Sequence, residues 1–382
     1  MIIGFDAKRA FANCTGLGNY SRYIINSLSL YCPGHSYQLY TPGDTSTADL
    51  AKIRQACGVS VHLPRGLNRF VHPAAWRTKF ILGDLTANGV ELYHGLSGEL
   101  PVGLRKAGIR SVVTVHDLIF LRFPDYYRSI DRMIYLRKMK YACLEADHIV
   151  TVSKRTQCDV ISIFGIDPDK TSVIYQGCDA SFYSPVGKDK IREIREKYEL
   201  PEKFILNVGT MEARKNLLLA VKAMLHIDAD IHLVAAGRET GYTQQVREFI
   251  AKHHLDRRIH FLLSVPHRDL PAIYQSSLLL VYPSFYEGFG IPVLEALHSG
   301  IPVIAATGSC LEEAGGSHSI YIAPEDEKAL ADAVKKILSD DTLRGKMIVE
   351  GKKHVSRFDD QQLARQMIQL YHRVIGSRQI TG

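Results

Sequence analysis

Short runs of Val, Ile and Leu alternate with helical patterns along both halves of the 382-residue chain. Continuous apolar runs of this kind are typical of parallel strands that are buried on both faces. We predict strands at Ile2–Asp6, Tyr37–Tyr40, Val59–Leu63, Leu92–His94, Ser111–Val115, His148–Val152, Ser172–Ile174, Phe204–Val208, Ile231–Ala235, Ile259–Leu262, Leu278–Tyr282, Pro302–Ala305 and Ile320–Ile322. Helical patterns fill the gaps, as at Gly18–Ser29, Arg132–Ala146, Leu217–Met224 and Glu327–Leu338. This alternation predicts an α/β fold with two Rossmann-like, doubly wound domains.

The chain is long enough for two domains, each with its own core. We predict one Rossmann-like domain at residues 1–180, a second at residues 197–358, and a last helix, about Asp360–Ile375, within residues 359–382. The boundary is placed near Gly177–Glu196, because the Ser-Pro-Val-Gly sequence at residues 184–187 has the composition of a linker.

Composition narrows the class of protein. Hydrophobic residues make up 46% and charged residues 23% of the chain, as in a soluble globular protein. No apolar run approaches the ~20 residues that span a bilayer, and the first residues do not resemble a signal peptide. The cysteines are scattered without a C-x-x-C pair, which argues against a disulfide framework or a zinc site and indicates a cytoplasmic protein. They are Cys14, Cys32, Cys57, Cys143, Cys158, Cys178 and Cys310.

Two carboxylates stand eight residues apart in the segment Tyr286–Leu297, on either side of a glycine turn and a helix start. Pro292 suits the first turn of a helix, and N–H groups at a helix start favour an anion such as a diphosphate. Carboxylates accept hydrogen bonds from the paired hydroxyls of a sugar or a ribose. The segment therefore predicts a site for a nucleotide-diphosphate sugar, with Glu287 on the sugar and Glu295 on the ribose. The turn on the phosphates comprises Gly288, Phe289, Gly290 and Ile291. The alternative is an ordinary turn before a solvated surface helix.

Three further loops follow predicted strands, at the sheet edge where doubly wound domains bind ligands. Gly16 and Gly18 open a helix after the first strand, and their backbone could approach a phosphate or simply form a turn. His116 ends another strand, where a structural role is as good an interpretation as a ligand contact. Arg214 and Lys215 follow a glycine turn after the first strand of the second half, and such cations suit a diphosphate leaving group. The alternative for them is a solvated helix start.

The segment EGFGIPVLEALHSGIPVIA resembles the E-x7-E motif of retaining glycosyltransferases of family 4, which have the GT-B fold. The sequences TGLGNY, HDLIFLRFP and NVGTMEARKN are similar to other motifs of that family. The resemblance implies two domains facing a cleft, the acceptor on the first and the nucleotide sugar on the second, with the last helix crossing back to the first domain. It implies a catalytic set of His116, Glu287 and Lys215, in which His116 hydrogen-bonds the donor sugar. Lys215 would contact the phosphate, and Arg214 would share that role or brace the domain.

Softer matches extend the predicted donor-binding set. Thr210 stands where many members have an arginine, which removes one cation from the phosphate. The resemblance places Gly237 at the end of a central strand near the nucleotide. Leu263 stands where the family usually has a glycine that contacts the base, so the sequence does not determine which base is bound. The complete predicted donor-binding set is Gly16, Gly18, Thr210, Arg214, Lys215, Gly237, Leu263, Glu287, Gly288, Phe289, Gly290, Ile291 and Glu295.

The resemblance is to O-antigen and capsule mannosyltransferases, which implies transfer of a hexose, mannose from GDP-mannose, to a glycan or a polyprenyl-diphosphate-linked acceptor. The alternatives are a UDP-glucose or UDP-N-acetylglucosamine donor, or a protein that binds nucleotide sugars without turnover. We expect neither a metal nor another cofactor. The Asp-x-Asp sequences at residues 167–169 and 228–230 precede strands and are interpreted as turns.

Basic charge is concentrated in the first half of the chain. Residues 1–180 carry 21 basic and 15 acidic side chains, whereas residues 181–382 carry 26 and 25. Cations and aromatic residues are mixed at 65–80 and 120–141, which suits an anionic membrane at the inner face of the cell or a lipid-diphosphate acceptor. The alternative is a solvated helix face with its aromatic residues in the core. A nucleic-acid partner is disfavoured, because the net charge is modest and no known binding motif is present.

Overall fold

Parallel pairing joins the described strands into two separate sheets. The computed structural model describes residues 1–13, 15–43, 53 and 58–377. The chain divides into two units, the first formed by Met1–Gly177 with Phe358–Gly382 and the second by Cys178–Arg357. The predicted α/β fold with two Rossmann-like domains is confirmed.

The first unit contains a seven-stranded parallel sheet with the order β3-β2-β1-β4-β5-β6-β7. Its strands are β1 (Ile2–Asp6), β2 (Ser36–Tyr40), β3 (Val59–His62), β4 (Leu92–Gly95), β5 (Arg110–Val115), β6 (His148–Thr151) and β7 (Thr171–Val173). Ile3 pairs with Tyr37 of β2 on one side and with Leu92 of β4 on the other. The strand order therefore reverses between β1 and β4.

The second unit contains a six-stranded parallel sheet with the order β10-β9-β8-β11-β12-β13. Its strands are β8 (Phe204–Val208), β9 (His232–Ala236), β10 (Ile259–Leu262), β11 (Leu280–Tyr282), β12 (Val303–Ala306) and β13 (Ile320–Ile322). The order reverses between β8 and β11. Every predicted strand is present, and each predicted boundary lies within two residues of the observed one.

Helices lie between most successive strands of the described chain, as in doubly wound sheets, whereas residues 96–109 between β4 and β5 form turns. The helices before the second sheet are α1 (Lys8–Ala12), α2 (Gly16–Tyr31), α3 (Pro73–Ala75), α4 (Ile81–Ala87), α5 (Ile119–Arg122), α6 (Ser129–Glu145), α7 (Lys154–Phe164) and α8 (Lys188–Lys197). The remainder are α9 (Leu217–Ala223), α10 (Tyr242–Lys252), α11 (Leu270–Ser276), α12 (Ile291–His298), α13 (Leu311–Gly315), α14 (Glu327–Ser339), α15 (Asp341–Val355) and α16 (Asp360–Gly376). Among the described residues, no helix has the length and apolar character needed to cross a membrane.

The last helix, α16, belongs to the first unit, as predicted. A buried polar network ties it to the first sheet. Tyr371 lies 2.6 Å from His94 Nδ1, and His94 Nε2 lies 2.8 Å from the hydroxyl of Thr114, which also hydrogen-bonds Tyr20. Burial, helped by the nearby His116, lowers the pKa of His94 to about 3. The ring is therefore neutral, with one nitrogen donating and the other accepting.

The cysteines of the described chain are free thiols. They are Cys32, Cys143, Cys158, Cys178 and Cys310. Cys14 and Cys57 lie outside the described residues.

Candidate functional site

Two segments that are far apart in the sequence meet where the strand order of the second sheet reverses. Residues 209–216 follow β8 and residues 283–290 follow β11, so both leave the carboxyl edge of the sheet at its reversal point. The amide of Asn207 donates to the Val281 carbonyl at 2.9 Å, and Phe285 N donates to Arg214 O at 2.9 Å. Ligands of doubly wound sheets bind at this position.

Asn216, the last residue of the motif NVGTMEARKN, holds the two segments together, although no role of its own was predicted for it. Its backbone has φ 57°, in the left-handed region that asparagine tolerates better than most residues. Its amide donates to Pro283 O at 3.1 Å and to Pro324 O at 2.7 Å. The residues that precede it, Arg214 and Lys215, are thereby fixed over the end of β11.

A cluster of charged side chains lies between these segments. Lys215 Nζ is 2.6 Å from Glu287 Oε1 and donates to the Tyr282 hydroxyl at 2.5 Å. Arg214 Nη1 is 2.9 Å from Glu287 Oε2 and donates to the Tyr286 carbonyl at 2.6 Å. The structure therefore brings together three predicted site residues, and each side chain is mostly buried. Tyr282 and Tyr286 had not been predicted to hold the cations.

The electrostatics of the cluster favour the ionised forms of Glu287 and Arg214. Burial raises the pKa of Glu287, but the charges of Arg214 and Lys215 outweigh this and lower it to about 2. Burial lowers the pKa of Arg214, and the carboxylates of Glu287 and Glu212 reverse the effect and raise it above its ordinary value. Glu212 lies 2.6 Å from Arg214 Nη2. Two cations are thus held in fixed positions by two carboxylates, and an entering anion competes with those carboxylates.

The turn before α12 forms as the sequence predicts. Gly290 has φ 108°, and a Cβ at that position would lie 2.6 Å from the Leu311 side chain, so another residue would strain the turn. Pro292 lies in the first turn of α12. Phe289 is buried, and the thiol of Cys310 donates to the Glu287 carbonyl at 3.0 Å. Gly288 and Ile291 are partly exposed in the same turn.

Glu295 is buried in α12, where the Tyr274 hydroxyl donates to its Oε2 at 2.7 Å. Burial raises the pKa of Glu295 to about 7, against the opposing effect of the Tyr274 hydrogen bond and with a small contribution from the charge of Asp179. Glu295 therefore changes charge near neutral pH, whereas Glu287 does not. Its predicted contact with a ribose stays a prediction.

The remaining predicted residues of the second unit line the ends of β8, β9 and β10. A Cβ on Gly237 would lie 1.8 Å from the Gly209 carbonyl oxygen, so the two backbones approach as only glycine allows. Thr210 accepts a hydrogen bond at its carbonyl from Glu212 N at 2.9 Å. Leu263 follows β10 with an exposed side chain.

Gly16, Gly18 and His116 belong to the first unit, at the carboxyl edge of its sheet. A Cβ on Gly18 would lie 1.9 Å from Asn13 O, whereas nothing lies within 4 Å of one on Gly16. His116 Nε2 is 2.9 Å from the Leu96 carbonyl and must donate to it. Burial, opposed by that hydrogen bond, lowers the pKa of His116 to about 4. The ring is neutral, so Nδ1 is an acceptor, and its contact with a sugar hydroxyl stays a prediction.

Two Asp-x-Asp sequences, at residues 167–169 and 228–230, lie in the described part of the chain. No group of three or more His, Cys, Asp or Glu side chains there could hold a metal ion. Asp167 accepts from Asp169 N at 3.0 Å, and Asp230 pairs with Lys203 at 2.8 Å. The first Asp-x-Asp sequence thus forms a local turn, and the second makes an exposed ion pair with Lys203.

Sequence comparisons match both units to known glycosyltransferases. Residues 15–182 match the family described as Glycosyltransferase Family 4, and residues 189–354 match Glycosyl transferases group 1. The chain is 30% identical over 286 residues to O-antigen chain mannosyltransferase B of Escherichia coli, covering 73% of this chain and 74% of that protein. It is 28% identical over 225 residues to the O-antigen chain mannosyltransferase RfbU of Salmonella typhimurium, covering 59% and 60%. A D-inositol 3-phosphate glycosyltransferase of Corynebacterium glutamicum is 30% identical over 250 residues, covering 62% and 60%.

Solved structures show the same fold. Sucrose-phosphate synthase from Thermosynechococcus elongatus superimposes with a TM-score of 0.77 at 21% identity, covering 99% of this chain and all of that one (100%). Anabaena HepE in complex with UDP gives a TM-score of 0.75 at 17% identity, covering 98% and 100%. The chain therefore belongs to glycosyltransferase family 4, and its two Rossmann-like domains are of the GT-B type.

Proposed function

We propose that the protein is a retaining glycosyltransferase that moves mannose from GDP-mannose onto a glycan or a polyprenyl-diphosphate-linked oligosaccharide at the inner face of the cell membrane. The choice of mannose and of this acceptor class is supported by the two O-antigen mannosyltransferases among its relatives. The observation that carries the proposal is the pair of cations, Arg214 and Lys215, fixed beside the start of α12 at the reversal point of the second sheet.

The chemistry follows from how these charges are held. The donor's diphosphate competes with Glu287 for Lys215 and Arg214, and the first-turn N–H groups of α12 add a further positive potential. As the bond from the anomeric carbon to the phosphate oxygen breaks, negative charge grows on the diphosphate, and cations already in place stabilise it. Glu287, displaced from the cations, accepts hydrogen bonds from sugar hydroxyls.

The acceptor hydroxyl attacks the anomeric carbon on the face that the phosphate leaves. Its oxygen forms the new glycosidic bond, and its proton passes to an oxygen of the departing diphosphate. Configuration at the anomeric carbon is then retained. The two cations and the helix start supply the charge stabilisation that a divalent metal supplies in other transferases, so the proposed mechanism is metal-independent.

A second candidate donor has its own support. HepE was solved with UDP and with UDP-glucose, and Leu263 leaves the base undetermined. The alternative is therefore the same reaction with UDP-glucose or UDP-N-acetylglucosamine.

A donor panel tests the proposal. Purified protein is incubated with GDP-mannose, UDP-glucose or UDP-N-acetylglucosamine and a lipid-linked glycan extract, and released GDP or UDP is measured with and without chelator. We expect acceptor-dependent GDP release that chelator leaves unchanged, and a product whose anomeric proton keeps the donor's configuration. UDP release would establish the second donor instead. Donor binding without release of either nucleotide would overturn the enzymatic proposal in favour of a sensor.

A further inference from the structure

Helix α6 of the first unit is apolar on the side that faces solvent as well as on the side that faces the core. Ala142 and Cys143 are buried against the unit. On the opposite side, large apolar side chains are exposed at helical spacing, Ile130 and Met133 to 63%, Ile134 to 44% and Leu144 to 48%. We call these four residues the outer apolar face. A solvated helix normally places polar residues there, so a contiguous apolar row indicates a binding surface.

A second segment of the first unit lies near α6. The Glu99 carboxylate lies 3.2 Å from Arg77 Nη2 and 3.3 Å from Lys138 Nζ of α6, so residues 76–80 lie beside the helix. Both of these ion pairs are internal to the first unit. Three apolar side chains of the stretch 65–80 are at least half exposed: Leu67, Phe70 and Phe80.

The net charge around the outer apolar face is positive. Residues 126–145 carry five cationic side chains against two carboxylates, Asp131 and Glu145. The cations are Arg128, Arg132, Arg137, Lys138 and Lys140. By helical spacing Arg137 falls within the apolar row, one turn beyond Ile134 and Met133. Its long aliphatic stem can cover apolar surface while its charge reaches a polar layer.

We propose that the outer apolar face, with the exposed side chains of residues 65–80, docks on the surface of an anionic lipid membrane. Interfacial helices bury apolar side chains at the headgroup boundary and place cations against anionic lipid. A second copy of the chain fits less well, because a two-fold interface would set this basic surface against itself. This docking rests on the membrane location in the proposed function and names the residues that meet lipid, whereas the donor and the reaction do not depend on it.

Vesicle sedimentation of the full chain, without nucleotide or acceptor, tests the docking. The vesicles contain phosphatidylcholine alone or mixed with phosphatidylglycerol. We expect binding to the mixed vesicles that added salt weakens. The triple variant Ile130→Ser, Met133→Ser, Ile134→Ser and the double variant Arg137→Gln, Lys140→Gln should each lose roughly tenfold or more of that binding. The control variant Leu225→Ser, Val349→Ser removes exposed apolar side chains of the second unit and should bind as the unchanged protein does.

The substituted side chains are exposed, so unfolding midpoints should match that of the unchanged protein, and loss of binding then reports the surface itself. Absence of binding to anionic vesicles would overturn the inference, as would a triple variant that binds undiminished. A dimer that the triple variant converts to monomer would show that a second copy covers the face instead. Each of these results leaves the donor panel unaffected, so the two proposals fail separately.

Discussion

Replacing Glu287 by glutamine should destabilise the nucleotide-free protein and increase the stabilisation that a bound nucleotide diphosphate provides. Burial raises the pKa of Glu287, but the charges of Arg214 and Lys215 outweigh burial and lower it from its ordinary 4.5 to about 2. At 1.36 kcal/mol per pKa unit, the ionised form is stabilised by about 3 kcal/mol. Glu287→Gln keeps the shape and removes this charge, which leaves two buried cations short of a partner. We expect the free energy of unfolding near neutral pH to fall by about 3 kcal/mol.

Urea unfolding with and without GDP or UDP measures both effects. The nucleotide diphosphate replaces the missing carboxylate, so it should stabilise Glu287→Gln more than the unchanged protein, while turnover falls because the sugar contact is lost. Glu212→Gln is the matched control, since its carboxylate meets only Arg214 among these cations and is 40% exposed. An exposed pair contributes about 1 kcal/mol or less. An equal loss of unfolding free energy in the two variants would refute the reasoning. So would a nucleotide affinity of Glu287→Gln that falls by the same factor as its turnover.

Lys215, Glu295 and Gly18 give three further predictions. Lys215→Ala should weaken binding of GDP or UDP in calorimetry and reduce turnover by roughly tenfold to a hundredfold; unchanged affinity and rate would contradict its phosphate role. The pKa of Glu295 is raised to about 7, mainly by burial, so the folded state keeps a proton that the unfolded state releases and stability declines as pH rises from about 4.5 through 7. Glu295→Gln should therefore gain up to about 3 kcal/mol over the unchanged protein near pH 8 and little near pH 4, and an equal difference at both would contradict this. Gly18→Ala places a Cβ 1.9 Å from Asn13 O and should lower the unfolding midpoint by several degrees. Gly16→Ala has open space and should not; a matching drop in both would show that the contact is unimportant.

The strands were predictable because parallel strands buried on both faces have continuous apolar sequences. Phe204–Val208 and Ile259–Leu262 have the predicted bounds in the structure. The order of strands was not predictable, because adjacency of β8 and β11 depends on packing between residues more than 70 positions apart, as in the hydrogen bond from Asn207 to Val281. That adjacency is what brings the predicted motifs together.

The residue types of the site were predictable, and their pairing was not. The motifs identified two carboxylates and two adjacent cations. They did not show that Glu287 forms ion pairs with both cations in the nucleotide-free protein. In the sequence Tyr282 is simply one residue of an apolar strand. Only the fold brings its hydroxyl within hydrogen-bond distance of Lys215. Tyr274 likewise reaches Glu295 from a neighbouring helix. Such contacts depend on tertiary structure, which local spacing does not encode.

The buried link between α16 and His94 has a consequence for synthesis on the ribosome. The first unit needs a helix that is made after the second unit, whereas the second unit, Cys178–Arg357, is one uninterrupted stretch. At ~5–20 residues per second, roughly 10 to 40 s pass between completion of the first sheet and emergence of its final helix. Until Tyr371 arrives, His94 lacks one hydrogen-bond partner. The half that is translated second can therefore finish folding before the half that is translated first.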